Sequence, residues 1–236
     1  QPAQLVVIAT YTFNNARLML LSGISKPWDP VSKTGVVGKN YSYQAASHVR
    51  LFFEDKQFNP FMGGSAMGMI VDEFNGDNFD HSGLGFVGGG FINSTVGGAL
   101  PIRSHPVPKG TPGWGAKWKK TAAHYYSRTF PLTGHGSCLS YSDCYLDLDP
   151  TYKDAYGLPL LRLTYDWHDN EKRMSKYLTE RIVEIAKQIP VQSHISAHSI
   201  HGHYSIVPYQ STHNTGGAIM GADPASSVGN KYLQCW

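Results

Sequence analysis

The sequence has no uninterrupted apolar stretch near the ~20 residues that a membrane-spanning helix needs, and no secretory leader pattern is visible in it. Charge is sparse: 20 basic against 17 acidic residues leave a net +3 without any basic run. Nucleic acid and membrane-surface binding therefore have no support. Three cysteines, Cys138, Cys144 and Cys235, are an odd and widely spaced set. A bridge between Cys138 and Cys144 is open, but buried thiols are the simpler reading. There is no His-Glu-x-x-His, and no cysteine or carboxylate at ligand spacing accompanies the histidines. With 236 residues, 41% hydrophobic and 16% charged, the chain has the material for a large core in one or two domains.

The segment that stands out is residues 211–224, where Ser211-Thr212-His213-Asn214-Thr215 runs into Gly216-Gly217-Ala218-Ile219-Met220-Gly221. The glycine pair permits positive φ or a close backbone approach to a flat ligand. An imidazole at its mouth can exchange a proton near neutral pH. A turn with an incidental histidine fits the same residues.

Along the chain, Leu5-Val6-Val7-Ile8-Ala9 predicts a short buried strand. Asn14 or Asn15 is expected to cap a helix through Leu21, closed by Gly23. Val49–Phe53 and Ala66–Val71 read as strands. Gly83-Leu84-Gly85-Phe86-Val87-Gly88 matches G-x-G-x-x-G in form only, because Gly89 and Gly90 break any following helix and no acidic residue stands ~20 positions on. Residues 93–120 are loop-like, with a short helix near Trp114 and Trp118, whose rings suit anchoring the loop or stacking on a sugar. Asp147, Asp149 and Asp154 around Pro150 predict turn chemistry rather than a calcium loop. Leu158–Tyr165 reads as a strand. From an Asp169 cap, Met174, Tyr177, Leu178, Ile182, Ile185 and Ile189 recur at helical spacing up to Pro190. His194, His198, His201 and His203 are read as a polar loop, and no metal site is expected.

Residues 211–224 resemble the C-terminal signature of the glucose–methanol–choline (GMC) family of FAD-dependent oxidoreductases. The likeness is to the branch of gluconate 2-dehydrogenase and fructose dehydrogenase flavoprotein subunits. It extends through Pro208-Tyr209-Gln210 and Ser227-Val228-Gly229-Asn230-Lys231-Tyr232-Leu233-Gln234. Leu20-Leu21-Ser22-Gly23-Ile24 and Gly35-Val36-Val37-Gly38-Lys39-Asn40 resemble two further family segments, with Asn15-Ala16 and Gln44 as departures.

The resemblance implies an α+β fold, with part of a Rossmann-like FAD-binding domain and a substrate domain on a mainly antiparallel sheet with flanking helices. Residues 1–46 and 205–236 would belong to the former and 47–204 to the latter. It implies His213 as the base, Asn214 beside it, and Gly216, Gly217, Gly38 and Asn40 near FAD. The expected reaction oxidises a CH–OH group of a sugar, sugar acid or polyol. Electrons would pass to a partner such as a cytochrome c subunit, with a small subunit alongside, in a periplasmic or membrane-associated assembly. The chain looks like a piece cut at both ends, so by itself it is expected to carry neither flavin nor activity. A non-catalytic sugar- or metal-binding or interaction domain is the alternative.

Overall fold

The computed structural model describes residues 3–60, 68–94, 105–190, 192–207 and 212–236. In chain order the elements are α1 (Thr12–Ser22), β1 (Ser42–Tyr43), β2 (Ala45–Phe53), β3 (Met69–Val71), β4 (Gly90–Ser94), α2 (Gly115–Tyr125), β5 (Thr129–Gly136), β6 (Tyr145–Lys153), β7 (Pro159–Thr164), α3 (Asp169–Gln188), β8 (Gln192–His198) and β9 (Asn214–Thr215). The class is α+β, and every pair of these strands is antiparallel. The chain forms two compact units. One comprises residues 1–44, 139–167 and 203–236; the other comprises 45–138 and 168–202. The sequence reading put 47–204 in one substrate domain, whereas the hairpin at 139–167 packs with the first unit.

The second unit is a five-stranded sheet, ordered β3-β4-β5-β2-β8, with α3 against one face. Met174, Leu178, Ile182 and Ala186 recur every four residues and are buried, so one stripe of α3 covers the sheet. Val49, Leu51 and Phe53 of β2 meet that stripe together with Leu132 and Ile92. Gly136 permits close packing, because a Cβ there would stand 2.8 Å from Met174 Cε. The helix opens one residue earlier than the Asp169 cap predicts. His168 is the cap, and Asp169 and Glu171 occupy the first turn, where they suit the helix dipole.

In the first unit α1 lies by the β6–β7 hairpin, burying Ala16 with Tyr41 and Leu146, and Met19 with Val36, Val37 and Val228. Gly23 ends α1 in the left-handed conformation, as expected. Its start differs: the helix begins at Thr12, and Asn15 lies inside it, its amide oxygen accepting from the Thr10 N–H at 2.6 Å. The expected strand at 5–9 is absent. Leu5 and Val7 are 80% and 75% exposed, and among these residues only Ile8 packs against the Met19 cluster. Apolarity alone made that segment read as a strand, and among the described residues no strand pairs with it.

Two other expectations change. Asp147 lies inside β6, whereas the expected turn chemistry holds at Asp149 and at Asp154, whose carboxylate accepts from the Tyr156 and Leu158 N–H groups. Asp147 pairs across the hairpin with Arg162 at 2.8 and 2.5 Å, while Asp149 accepts from the Thr151 and Tyr152 N–H groups at the β-bulge. Trp114 anchors nothing among the described residues: it caps α2 and is 86% exposed, while Trp118 meets the His105 ring 5.4 Å away. Of the expected strand Ala66–Val71, residues 66 and 67 lie outside the described residues, and β3 covers Met69–Val71.

All three cysteines are thiols. Burial raises the Cys138 thiol to about 12, Cys144 is buried, and Cys235 is exposed. Since the thiolate is the reactive form, a disulfide-exchange reagent is expected to titrate one thiol quickly in the native protein and all three after denaturation. Rapid loss of Cys138, located by peptide mapping, would contradict this packing.

Candidate functional site

His213 and Asn214 enter β9, whose two residues pair with β1: Ser42 opposite Thr215, and Tyr43 opposite Asn214. The Ser42 and Thr215 hydroxyls lie 2.7 Å apart and reinforce this short ladder. His213 precedes it with φ +63° and an exposed side chain. Positive φ at a non-glycine residue is uncommon, though histidine is among the types that tolerate it. It swings the imidazole outward just as the chain turns into the pairing.

Asn214 is buried, and its polar groups are used within the chain. The Tyr41 hydroxyl donates to Asn214 Oδ1. Asn214 Nδ2 donates to the Tyr11 hydroxyl at 2.6 Å, and the Thr12 hydroxyl donates to the Asn214 carbonyl at 2.7 Å. Tyr11 also has positive φ (+78°), at the entry to α1. Phe13 stacks on Tyr41, and Tyr165 meets Tyr41 edge-on, so an aromatic wall backs the asparagine. Asn214 is thus a post that holds the chain beneath His213.

Gly216 packs against Asn40, another non-glycine residue with positive φ (+61°). A Cβ on Gly216 would lie 1.9 Å from the Asn40 carbonyl oxygen, so only hydrogen fits. The Gly38 N–H donates to the Gly217 carbonyl at 2.7 Å, and the Gly217 N–H donates to the Lys39 carbonyl at 3.0 Å. Leu146 N–H closes the set on the Gly38 carbonyl at 2.8 Å. The structure therefore brings Gly38, Asn40, His213, Asn214, Gly216 and Gly217 into one knot within one unit. Four segments far apart in sequence, at 11–12, 38–41, 146 and 213–217, build one hydrogen-bonded frame, and the exposed His213 stands at its edge.

The sequence reading missed Tyr11 and Tyr41, whose local sequence carries no signal for this contact. It also missed the pairing of His203 with Asp166. His203 Nδ1 lies 2.5 Å from the Asp166 carboxylate, which also accepts from the Tyr204 N–H at 2.7 Å and the Trp167 N–H at 2.8 Å. The His203 bond, followed by these backbone N–H groups, holds the Asp166 carboxyl at about 2. Among the described residues, His194, His198, His201 and His203 do not gather three ligand atoms around one point. His194 and His198 lie on β8, and His201 Nδ1 bonds the Ser199 carbonyl at 2.9 Å.

The Asp166 arrangement carries a pH prediction. A carboxyl depressed in the folded state contributes stability that is fully present above its unfolded value of 3.8 and is lost as pH falls towards about 2. Asp166→Asn is therefore expected to flatten the acid limb of stability between about pH 4 and 2 and change little at pH 7 beyond a constant offset. Urea unfolding midpoints across that range check it. An unchanged acid limb would remove Asp166 from the acid response. The pair is solvent-exposed, so the change is expected to be small.

Residues 140–236 match the GMC oxidoreductase family. The chain is 44% identical over 238 aligned residues to a gluconate 2-dehydrogenase flavoprotein of Pantoea cypripedii, covering all of this chain and 39% of that protein. It is 24% identical to a 2-methyl-1,2-propanediol dehydrogenase of Mycolicibacterium austroafricanum, over 99% of this chain and 41% of that protein. Over 91 residues, 38% of this chain and 15% of the relative, it is 33% identical to a fructose dehydrogenase large subunit of Gluconobacter japonicus. The chain thus spans about two fifths of the length of the first two relatives.

Proposed function

We propose that the chain supplies the acid–base side of a flavin-dependent oxidation of a CH–OH group, a reading supported by the match of residues 140–236, which include His213 and Asn214, to the GMC oxidoreductases. The observation that carries this is the exposed imidazole of His213, fixed at its backbone by the buried Asn214 and its two tyrosines. A proton-transfer group must be held in one place and still be reachable by substrate. His213 meets both conditions.

A flavin would lie along one edge of this frame. The close approach at Gly216 is made to the chain's own Asn40 carbonyl, so the glycine knot is a support rather than a phosphate cradle. The backbone of residues 214–217, braced by Gly38 and Asn40, would hold the edge of the ring system beside the imidazole. When bound, the flavin supplies the acceptor for the hydride that leaves the carbinol carbon. The His213 ring would take the hydroxyl proton, so that the carbon–oxygen double bond can form as the hydride leaves. Asn214 positions; its amide is used within the frame. On this reading the unit of residues 1–44, 139–167 and 203–236 is the cofactor side and the other unit the substrate side.

Sugars, sugar acids and polyols are the proposed substrates, with electrons passing on to a protein partner or dye. The relatives named for gluconate, fructose and a diol support that class. The test is dye reduction by the intact protein against a sugar acid, a ketose and a diol, with flavin released by denaturation and counted. Turnover with at least one of them and one flavin per protein is expected. Flavin-free protein that is inactive on all three would overturn the proposal.

A further inference from the structure

Summed over the chain the charges nearly cancel, but they are not evenly placed. No aspartate or glutamate occurs between Asp80 and Asp143, while that stretch holds Arg103, Lys109, Lys117, Lys119, Lys120 and Arg128. Three of these lysines lie on α2, which has no acidic residue of its own. Whole-chain composition averages this segregation away, and the helix gathers it on one side.

Along α2 the half-buried or buried positions are Gly115, Trp118, Thr121, Ala122 and Tyr125, three or four residues apart, so they form one face. Tyr125 is the anchor. Its ring meets Phe52 edge-on at 5.1 Å, and its hydroxyl donates to the Glu54 carboxylate at 2.5 Å. Lys117, Lys119 and Lys120 fall on the other, exposed face with Ala116 and Ala123. Glu54 meets the helix at its last turn, through Tyr125 and through His124 at 3.1 Å. Among the described residues no ion pair involves the three lysines. At the other end Trp114 opens the helix with 86% of its surface exposed. A large apolar ring left in water thus stands beside ammonium groups that have no carboxylate partner in this unit's ion pairs.

We propose that α2 docks on an anionic lipid surface, with the Trp114 ring at headgroup level and Lys117, Lys119 and Lys120 against the phosphates. Tryptophan favours the membrane–water boundary because its ring is apolar and its N–H polar. Lysine stems lie along the same boundary while their ammonium groups reach phosphate. A basic face beside an aromatic wedge is the pattern of a helix that lies on a membrane. A nucleic acid strand also offers phosphates, but such strands are held in grooves with successive stacking rings. The α2 face is convex and carries one such ring. The inference is separate from the role given to His213, since α2 belongs to the other unit.

Sedimentation of the intact protein with lipid vesicles is the test. Vesicles mixing phosphatidylcholine with phosphatidylglycerol are expected to carry it down, and pure phosphatidylcholine vesicles are not. Salt near 1 M, where the screening length falls to about 3 Å, is expected to release most of it. Lys117→Gln, Lys119→Gln and Lys120→Gln are each expected to weaken binding roughly fivefold, and arginine at the same positions is expected to keep it. Bromination of the lipid acyl chains reads insertion, because quenching of tryptophan emission is expected to drop in Trp114→Leu. All four side chains are exposed, so the unfolding midpoints of these variants are expected to match the wild type. No sedimentation, equal binding to both kinds of vesicle, binding indifferent to the lysine variants, or quenching unchanged in Trp114→Leu would overturn the proposal. Capture by polyglutamate or single-stranded DNA without capture by the mixed vesicles would do the same, and would assign the face to an acidic protein or a nucleic acid.

Discussion

Replacing His213 with alanine is expected to slow flavin reduction by substrate by two to four decades, about 3–5 kcal/mol of barrier, while leaving flavin content unchanged. The side chain is exposed and projects from a frame whose polar contacts belong to Asn214, Tyr11, Tyr41 and Thr12. Removing the imidazole therefore takes away the proton acceptor without removing those contacts. His213 has φ +63°, a conformation that alanine tolerates poorly. His213→Asn is the companion variant, because asparagine accepts that backbone and offers no base. Stopped-flow reduction is expected to fall comparably in both. A loss in the alanine variant alone would assign the effect to backbone strain, and unchanged rates in both would remove His213 from the proton transfer.

Gly216→Ala is expected to be the most damaging substitution to the structure of the site. The residue has φ +81°, and an added methyl would lie 1.9 Å from the Asn40 carbonyl oxygen and 2.8 Å from its carbon. Both obstacles are backbone, so no side chain can turn aside. Strain at a left-handed position costs about 1–3 kcal/mol, and displacing the 38–41 segment adds to it, so a loss of at least about 3 kcal/mol is expected. The displacement would break the Gly217–Lys39 and Gly38–Gly217 bonds that fix β9. Chemical denaturation of the variant, read alongside its activity, checks the size. A destabilisation near zero would mean that the two segments part more easily than their hydrogen bonds imply. Gly23→Ala is an informative contrast: φ is +64°, but nothing lies within 4 Å of the added carbon. It isolates conformational strain from collision.

The parts of the fold legible in the sequence are those whose signal is local. α3 announces itself through Met174, Leu178 and Ile182 at helical spacing, and α1 through the closing Gly23, because both a helix stripe and a left-handed cap are written within a few residues. β5 was not legible. It contains Pro131, Gly134 and Gly136, poor strand formers, and it is held by β2 and β4 on either side and α3 above. Leu5–Ala9 is the converse, a strand composition without a partner strand among the described residues.

The candidate site divides the same way. A histidine beside two glycines can be noticed in one stretch of sequence, and its family likeness adds a role. The tyrosines that bury Asn214 lie 173 and 203 residues away in the chain, and Asp166 lies 37 residues before its histidine. No local pattern couples them. The grouping of His48 and Arg50 with residues of β5 and β8 was invisible for a related reason. His48 and Arg50 alternate along one strand, but their neighbours come from β5, β8 and the segment at 105–109, and only the sheet register brings them together.

The central claim is that this chain's His213 frame serves a flavin that is reduced by an alcohol. The most direct test is anaerobic mixing of the intact protein with a sugar acid or polyol while the visible flavin band is followed in time. The account predicts that the band bleaches in a single substrate-dependent step and that His213→Asn slows this step without altering the starting spectrum. A flavin band that none of these CH–OH substrates bleaches, or one that bleaches equally fast in the variant, would contradict it.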